Sequence, residues 1–141
     1  MGRKGSGAIR PLFLKLSPDL TSEARKIAVG TAVEAGFSGI IASNTSRRRD
    51  FPAVKDVGIA ILSQEGGLSG APLREEAVQV IQEIRALIDR KHILISVGGL
   101  GGPEDARARL DAGANLLQVY TEFVYSGLAY PRQIARALAK S

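Results

Sequence analysis

The chain has 141 residues, 45% of them hydrophobic, 23% charged and 5% aromatic, which suits one α/β domain with an apolar core. With no cysteine and one histidine, disulfides, thiolate or multi-histidine metal sites, iron–sulfur clusters and thiol nucleophiles are all excluded. The formal charge is +5, yet Arg3, Lys4 and Arg10 in the Gly-rich opening supply three of those charges, so nucleic acid is not an expected partner.

Residues 1–10 read as a flexible tail or cloning remnant, and residues 11–141 as one half-barrel domain. No apolar run approaches the ~20 residues needed to cross a bilayer. The polar opening does not resemble a signal peptide. The expectation for the chain as given is therefore a soluble, cytoplasmic one.

Pro11–Leu16 is the first predicted strand, closed by Ser17-Pro18-Asp19. Thr21 or Ser22 caps a helix whose Ala24, Ile27, Ala28, Thr31, Ala32 and Ala35 share a stripe, and Gly36 ends it in a left-handed conformation. Gly39–Ser43 is a second strand, followed by a long connection to about Leu73. A second helix runs from about Arg74 to Asp89, with Ala77, Val80, Ile81, Ile84, Leu87 and Ile88 spaced by three and four. His92–Val97 is the third strand, stopped by Gly98-Gly99. Pro103 opens a third helix, with Glu104 and Asp105 complementing its dipole. Ala114–Tyr120 is the fourth strand, and a last helix spans roughly Pro131 to Ala139.

Four βα units with strands apolar on both faces demand a parallel sheet covered by helices. An open doubly wound sheet and half of a (β/α)8 TIM barrel both satisfy the pattern. A full barrel takes ~250 residues, so four units make half of one. No G-x-G-x-x-G follows the first strand, which weakens the dinucleotide-binding alternative.

Polar or glycine residues end all four strands: Lys15; Ser43, Asn44 and Thr45; Gly98 and Gly99; Tyr120 and Thr121. Ligands of parallel α/β proteins bind at these carboxyl ends. Alternation places Leu12, Leu14 and Leu16 toward the helices and Phe13 and Lys15 toward the barrel axis. An ammonium there meets an anion or reaches over the rim to solvent. The run Val97-Gly-Gly-Leu-Gly-Gly-Pro-Glu-Asp105 is a glycine-rich turn entering a helix, suited to a phosphate but lacking the Gly-Lys-Ser/Thr of a P-loop. A tight βα turn is its plainer alternative.

Glu65-Gly-Gly-Leu-Ser-Gly70 lies in the long connection, where its glycines allow folding over a ligand. Arg47-Arg48-Arg49 reads as a solvated run, since no aromatic ladder accompanies it. His92 reads as structural. No carboxylate or histidine stands out as a general base.

Lys15-Leu-Ser-Pro-Asp-Leu20, Ala42-Ser-Asn-Thr-Ser46, Gly66-Gly-Leu-Ser-Gly70, Val97-Gly-Gly99 and Gln118-Val-Tyr-Thr121 together resemble the C-terminal half of the dihydroorotate dehydrogenase family, in its quinone-dependent, membrane-associated class. The resemblance covers about Pro11 to Leu138. It implies an FMN-containing (β/α)8 barrel that oxidises dihydroorotate to orotate in pyrimidine biosynthesis and passes the electrons to quinone. It also implies that Lys15 lies beside the pyrimidine edge of the flavin. Ser43 stands where the family more often has threonine. Asn44 and Thr45 match substrate-holding residues, Ser69 and Gly70 a loop closing on the flavin, and Gly98 and Gly99 with Tyr120 and Thr121 the FMN phosphate cradle.

The same resemblance places the catalytic serine base and the membrane-docking segment before the region seen here, so no catalytic residue and no metal ligand is assigned. The expectation is an FMN-binding half that is incomplete for turnover alone. A free-standing half-barrel binding FMN or another phosphate ligand, a ligand-free structural half-barrel, and a different phosphate-binding barrel enzyme are the alternatives. Two open sheet edges and an uncovered apolar face further predict pairing, as a homodimer or with a complementary N-terminal half.

Overall fold

A computed structural model describes residues 10–54, 63 and 65–140. Most of the opening segment, and residues 55–62 and 64 of the long connection, lie outside the described residues. Four strands, β1 (Phe13–Leu16), β2 (Gly39–Ala42), β3 (Ile93–Val97) and β4 (Leu116–Gln118), form one parallel sheet in the order β1-β2-β3-β4. Between and after them come α1 (Ser22–Glu34), α2 (Arg74–Leu87), α3 (Pro103–Asp111), α4 (Thr121–Ser126) and α5 (Tyr130–Leu138). Two single 3-10 turns, Pro52–Val54 and Ala71–Leu73, lie in the β2–α2 connection. Consecutive parallel strands joined by helices, in sequence order, make four βα units, the architecture of half a (β/α)8 barrel.

Alternation along the strands decides what each face does. Leu16, Ile40, Ala42 and Leu94 turn toward the helices and are buried against Val29 and Ala32 of α1 and Val80, Ile81 and Ile84 of α2. The other face carries Phe13, Lys15, Ile41, Ile93, Ile95, Val97, Leu116 and Gln118, in a register that sets Lys15 beside Ile41 and Val97 beside Gln118. Among the described residues no helix covers it, and Leu116 remains 53% exposed.

The ends of the elements differ from the predicted bounds for identifiable reasons. Strand β4 is shorter than Ala114–Tyr120 because the Asn115 side chain takes over part of the ladder: its Oδ1 accepts from the Leu94 N–H at 2.8 Å. Its own N–H donates to the Leu94 carbonyl at 2.7 Å. Helix α1 is turned from the predicted stripe. Arg25, Val29 and Ala32 are its buried residues, while Ile27 is exposed. Arg25 is drawn inward by an ion pair with Glu83 of α2 and by donation to the Leu20 carbonyl at 3.0 Å. Leu12, predicted to face the helices, is exposed, as is Leu87 at the end of α2. Thr21 is the α1 cap, its Oγ1 accepting from the Ala24 N–H, and Gly36 follows the helix with φ +79°.

Helix α4 is an element the sequence reading missed. It has six residues and no buried ones, so it leaves no apolar period to read, and Gly127 with φ +76° ends it.

Candidate functional site

All ten predicted site residues line one cavity of about 840 Å³ at the carboxyl rim of the sheet. Lys15 enters it from β1. Ser43, Asn44 and Thr45 follow β2, Ser69 and Gly70 come from the long connection, Gly98 and Gly99 follow β3, and Tyr120 and Thr121 follow β4. The volume falls in the range of small-molecule and cofactor sites.

The β2 rim is held from both sides. The Ser43 N–H donates to the Val97 carbonyl at 3.0 Å and the Asn44 N–H to the Leu16 carbonyl at 2.8 Å. The Ala42–Ser43 peptide bond is cis. Ser43 is buried, whereas Asn44 and Thr45 are exposed toward the cavity mouth.

The long connection is tied down by side-chain contacts, several of them from the arginine run. Asp19 accepts from the Ser46 hydroxyl at 2.5 Å and from the Arg47 N–H at 2.7 Å. Arg48 forms a two-pronged pair with Glu76 at 3.0 and 3.1 Å and stacks over the Phe51 ring at 4.5 Å. Arg49 donates to the Gly66 carbonyl at 2.7 Å. Arg48 and Arg49 thus act as fasteners within a largely exposed run, because the chain fold supplies acceptors for their guanidiniums, while Arg47 stays exposed and contributes its backbone N–H. The connection then returns to the rim, where the Thr121 hydroxyl donates to the Ser69 hydroxyl at 2.9 Å.

The glycine turn after β3 shows why its residue type is fixed. Gly98 and Gly99 have φ of +105° and +66°, and a Cβ on Gly99 would stand 2.6 Å from the Arg74 backbone. Only glycine combines that conformation with that approach. Among the described residues, the Gly98 and Gly99 N–H groups have no protein acceptor. Asp105 braces the far side of the turn, accepting from the Gly101 N–H at 2.9 Å and pairing with Arg74 at 3.1 Å. Its place is therefore more specific than a favourable interaction with the helix dipole.

Arg74, Glu122 and Tyr125 also line the cavity and were not singled out in the sequence, whereas Leu100 and Gly101 belong to the glycine-rich run that was. Arg74 had one available signal: it opens the helix that directly follows the Gly-Leu-Ser-Gly stretch. The cavity is thus flanked by the cations Lys15 and Arg74, with Glu122 the one acidic lining residue among the described residues. His92 lies just before β3, at the opposite end of the sheet, and is buried. Among the described residues no cluster of three or more His, Asp or Glu could hold a metal ion, and no helix is long and apolar enough to cross a membrane.

Comparison with known proteins bears on this arrangement. The family model for dihydroorotate dehydrogenase matches residues 5–141. A dihydroorotate dehydrogenase (quinone) of Thermobifida fusca is 47% identical over 129 residues, which are 92% of this chain and 34% of that protein. One from Leifsonia xyli is 43% identical over 136 residues, 96% of this chain and 39% of that protein. The crystal structure of DHODH from Eimeria tenella in complex with ferulenol superposes with a TM-score of 0.81 at 32% identity, covering 92% of this chain and 33% of the other. The chain thus spans a little over a third of the length of the relatives it matches. With a family match over nearly its whole length and four βα units that superpose on a solved member, the chain belongs to the dihydroorotate dehydrogenase family.

Proposed function

We propose that this chain is the FMN-binding C-terminal half of a dihydroorotate dehydrogenase that passes electrons to quinone. The observation that carries the reading is the convergence of four strand rims on one cavity that holds a cation on one side and unpaired glycine N–H groups on the other. A phosphate needs N–H donors and positive potential, and the turn after β3 offers both, with the start of α3 beside it.

The cofactor fits the donor set. Gly98, Gly99 and the Tyr120–Thr121 backbone would hold the phosphate, and Lys15 would stand beside the flavin's pyrimidine edge. Ser43 would present its hydroxyl to the ring, and Ser69 and Gly70 would close over it from the side, kept in place by Thr121. Asn44 and Thr45, exposed at the mouth, would hold dihydroorotate or orotate. Bound FMN would supply the acceptor for a hydride from the substrate. Lys15 would stabilise negative charge developing on the ring, an electrostatic role for which a cation fixed on a strand needs no rearrangement. The base for the substrate proton would be supplied from outside this half.

Completion of the barrel is part of the same reading. Four further βα units would cover the face that carries Ile93 and Leu116 and pair the open edges of β1 and β4. They would be supplied by a second copy or by a complementary N-terminal half.

Equilibrium dialysis of the purified chain against FMN tests the proposal. Retention of one FMN per cavity is expected, weakened about tenfold by Lys15→Ala through loss of a charge-assisted contact. Anaerobic addition of dihydroorotate should leave the flavin absorbance unchanged. No retained FMN overturns the cofactor assignment, and bleaching by the substrate overturns the assignment of the base to another segment.

A further inference from the structure

Behind the glycine turn lies a cation that the cofactor reading does not use. Arg109, on α3, is completely buried. Its Nη2 donates to the Arg74 carbonyl at 2.8 Å and to the Gly98 carbonyl at 3.1 Å. Its Nε and Nη1 have no partner among the described residues. A buried guanidinium left partly unsatisfied is costly, and unlike the buried Arg25, which pairs with Glu83, Arg109 forms no ion pair among the described residues.

The geometry gives that cost a purpose. In a trans peptide unit the carbonyl and the next N–H point in opposite directions. By pulling the Gly98 carbonyl toward α3, Arg109 turns the Gly99 N–H away from the helix. The charge balance points the same way. Arg74 and Arg109 are two guanidiniums against the single carboxylate of Asp105, which is already engaged by Arg74 and the Gly101 N–H. The positive charge left uncompensated is that of Arg109, whose complete burial keeps water from screening it, whereas Arg74 is half exposed. Burial lowers the Arg109 pKa from its ordinary value, with Asp105 opposing and Arg74 adding to the shift. From an arginine's starting value the group stays protonated near neutral pH.

We propose that Arg109 is a positioning residue for anion recognition, fixing the orientation of the Gly98–Gly99 peptide and supplying through it a buried positive potential that favours a phosphate dianion. The inference rests on the reading of this turn as the FMN phosphate cradle, and it adds what sets the preference for the phosphorylated ligand.

The test is the ratio of FMN to riboflavin affinity, measured by fluorescence titration of the full chain at fixed ionic strength. The wild type is expected to prefer FMN. Arg109→Met should lose at least about tenfold of that preference while riboflavin affinity changes far less, and Arg109→Lys, which keeps the charge, should retain most of it. A residue that only supported the fold would weaken both ligands together. A wild type that binds both ligands equally overturns the cradle reading and this proposal with it. A wild-type preference that Arg109→Met leaves intact overturns this proposal alone. If Arg109→Met does not fold, the wild type decides by NMR. Inorganic phosphate should shift the Arg109 Nε resonance and slow its hydrogen exchange, and no response overturns the proposal.

Discussion

The two faces of the sheet are built from alternating residues of the same strands, yet they end in opposite states. On the helix side Leu94, Ile81 and Ile84 are entirely buried, and the layer is full. One residue away, Ile93 is 36% exposed, and Leu116 across the sheet is more so. Apart from Lys15, Ser96 and Gln118 toward the rim, both faces carry apolar residues, so the difference lies in cover rather than in composition. A sheet written for two dry faces has been given one, which is why completion of the barrel enters the proposed function.

The sharpest way to break that contrast is to truncate neighbours on opposite faces. Leu94→Ala is expected to cost about 2–5 kcal/mol in urea denaturation, the range for opening a cavity in a packed layer. Ile93→Ala should cost below about 1 kcal/mol if its face is uncovered. Equal losses would mean that a second copy already covers Ile93, and light scattering should then give a mass above that of one chain. A single-chain mass at micromolar concentration would overturn closure by self-association.

The rim, where both faces meet, gives a smaller effect. Gly99→Ala forces a left-handed conformation and a collision with Arg74, so about 1–2 kcal/mol of stability should be lost by the same measurement. FMN retention in dialysis should fall with it.

Smallest is the outer layer's second cluster, where Leu100, Ala106, Tyr130 and Ile134 pack together. The Tyr130 hydroxyl donates to the Leu100 carbonyl at 3.1 Å, and Tyr130→Phe should cost about 1 kcal/mol. Burial raises the Tyr130 pKa, with Glu122 and Asp105 adding and Arg74 opposing. The folded state thus holds the phenol's proton more tightly than the unfolded chain does. That contribution is complete below the ordinary phenol value near 10 and is lost as pH climbs through the raised one. Denaturation midpoints above pH 10 should therefore fall less steeply in Tyr130→Phe than in the wild type.

The sequence exposed the strands and the site unequally. Apolar runs broken by Gly or Pro located all four strands, and their polar or glycine ends named eight residues that do share a cavity, to which the family resemblance added Ser69 and Gly70. Those signals are local, which is why they could be read. What stayed hidden depends on partners distant in the chain. Arg25 is buried because Glu83 lies opposite, 58 residues on. Arg109 falls at a spacing of three from Ala106, a position periodicity alone would give to an apolar side chain. Its role requires knowing that the Gly98 and Arg74 carbonyls lie within reach. Helix α4 escaped because none of its six residues is buried, which leaves no apolar period to read.

The paired bonds between Ser46 and Leu68, N–H to carbonyl at 3.0 Å one way and 2.6 Å the other, join the two ends of the long connection like a drawn cord. Thr45 lies just before this knot and Ser69 just after it. The bridge thereby couples the two cavity-lining residues to each other, so that a shift of either end of the connection carries the other with it.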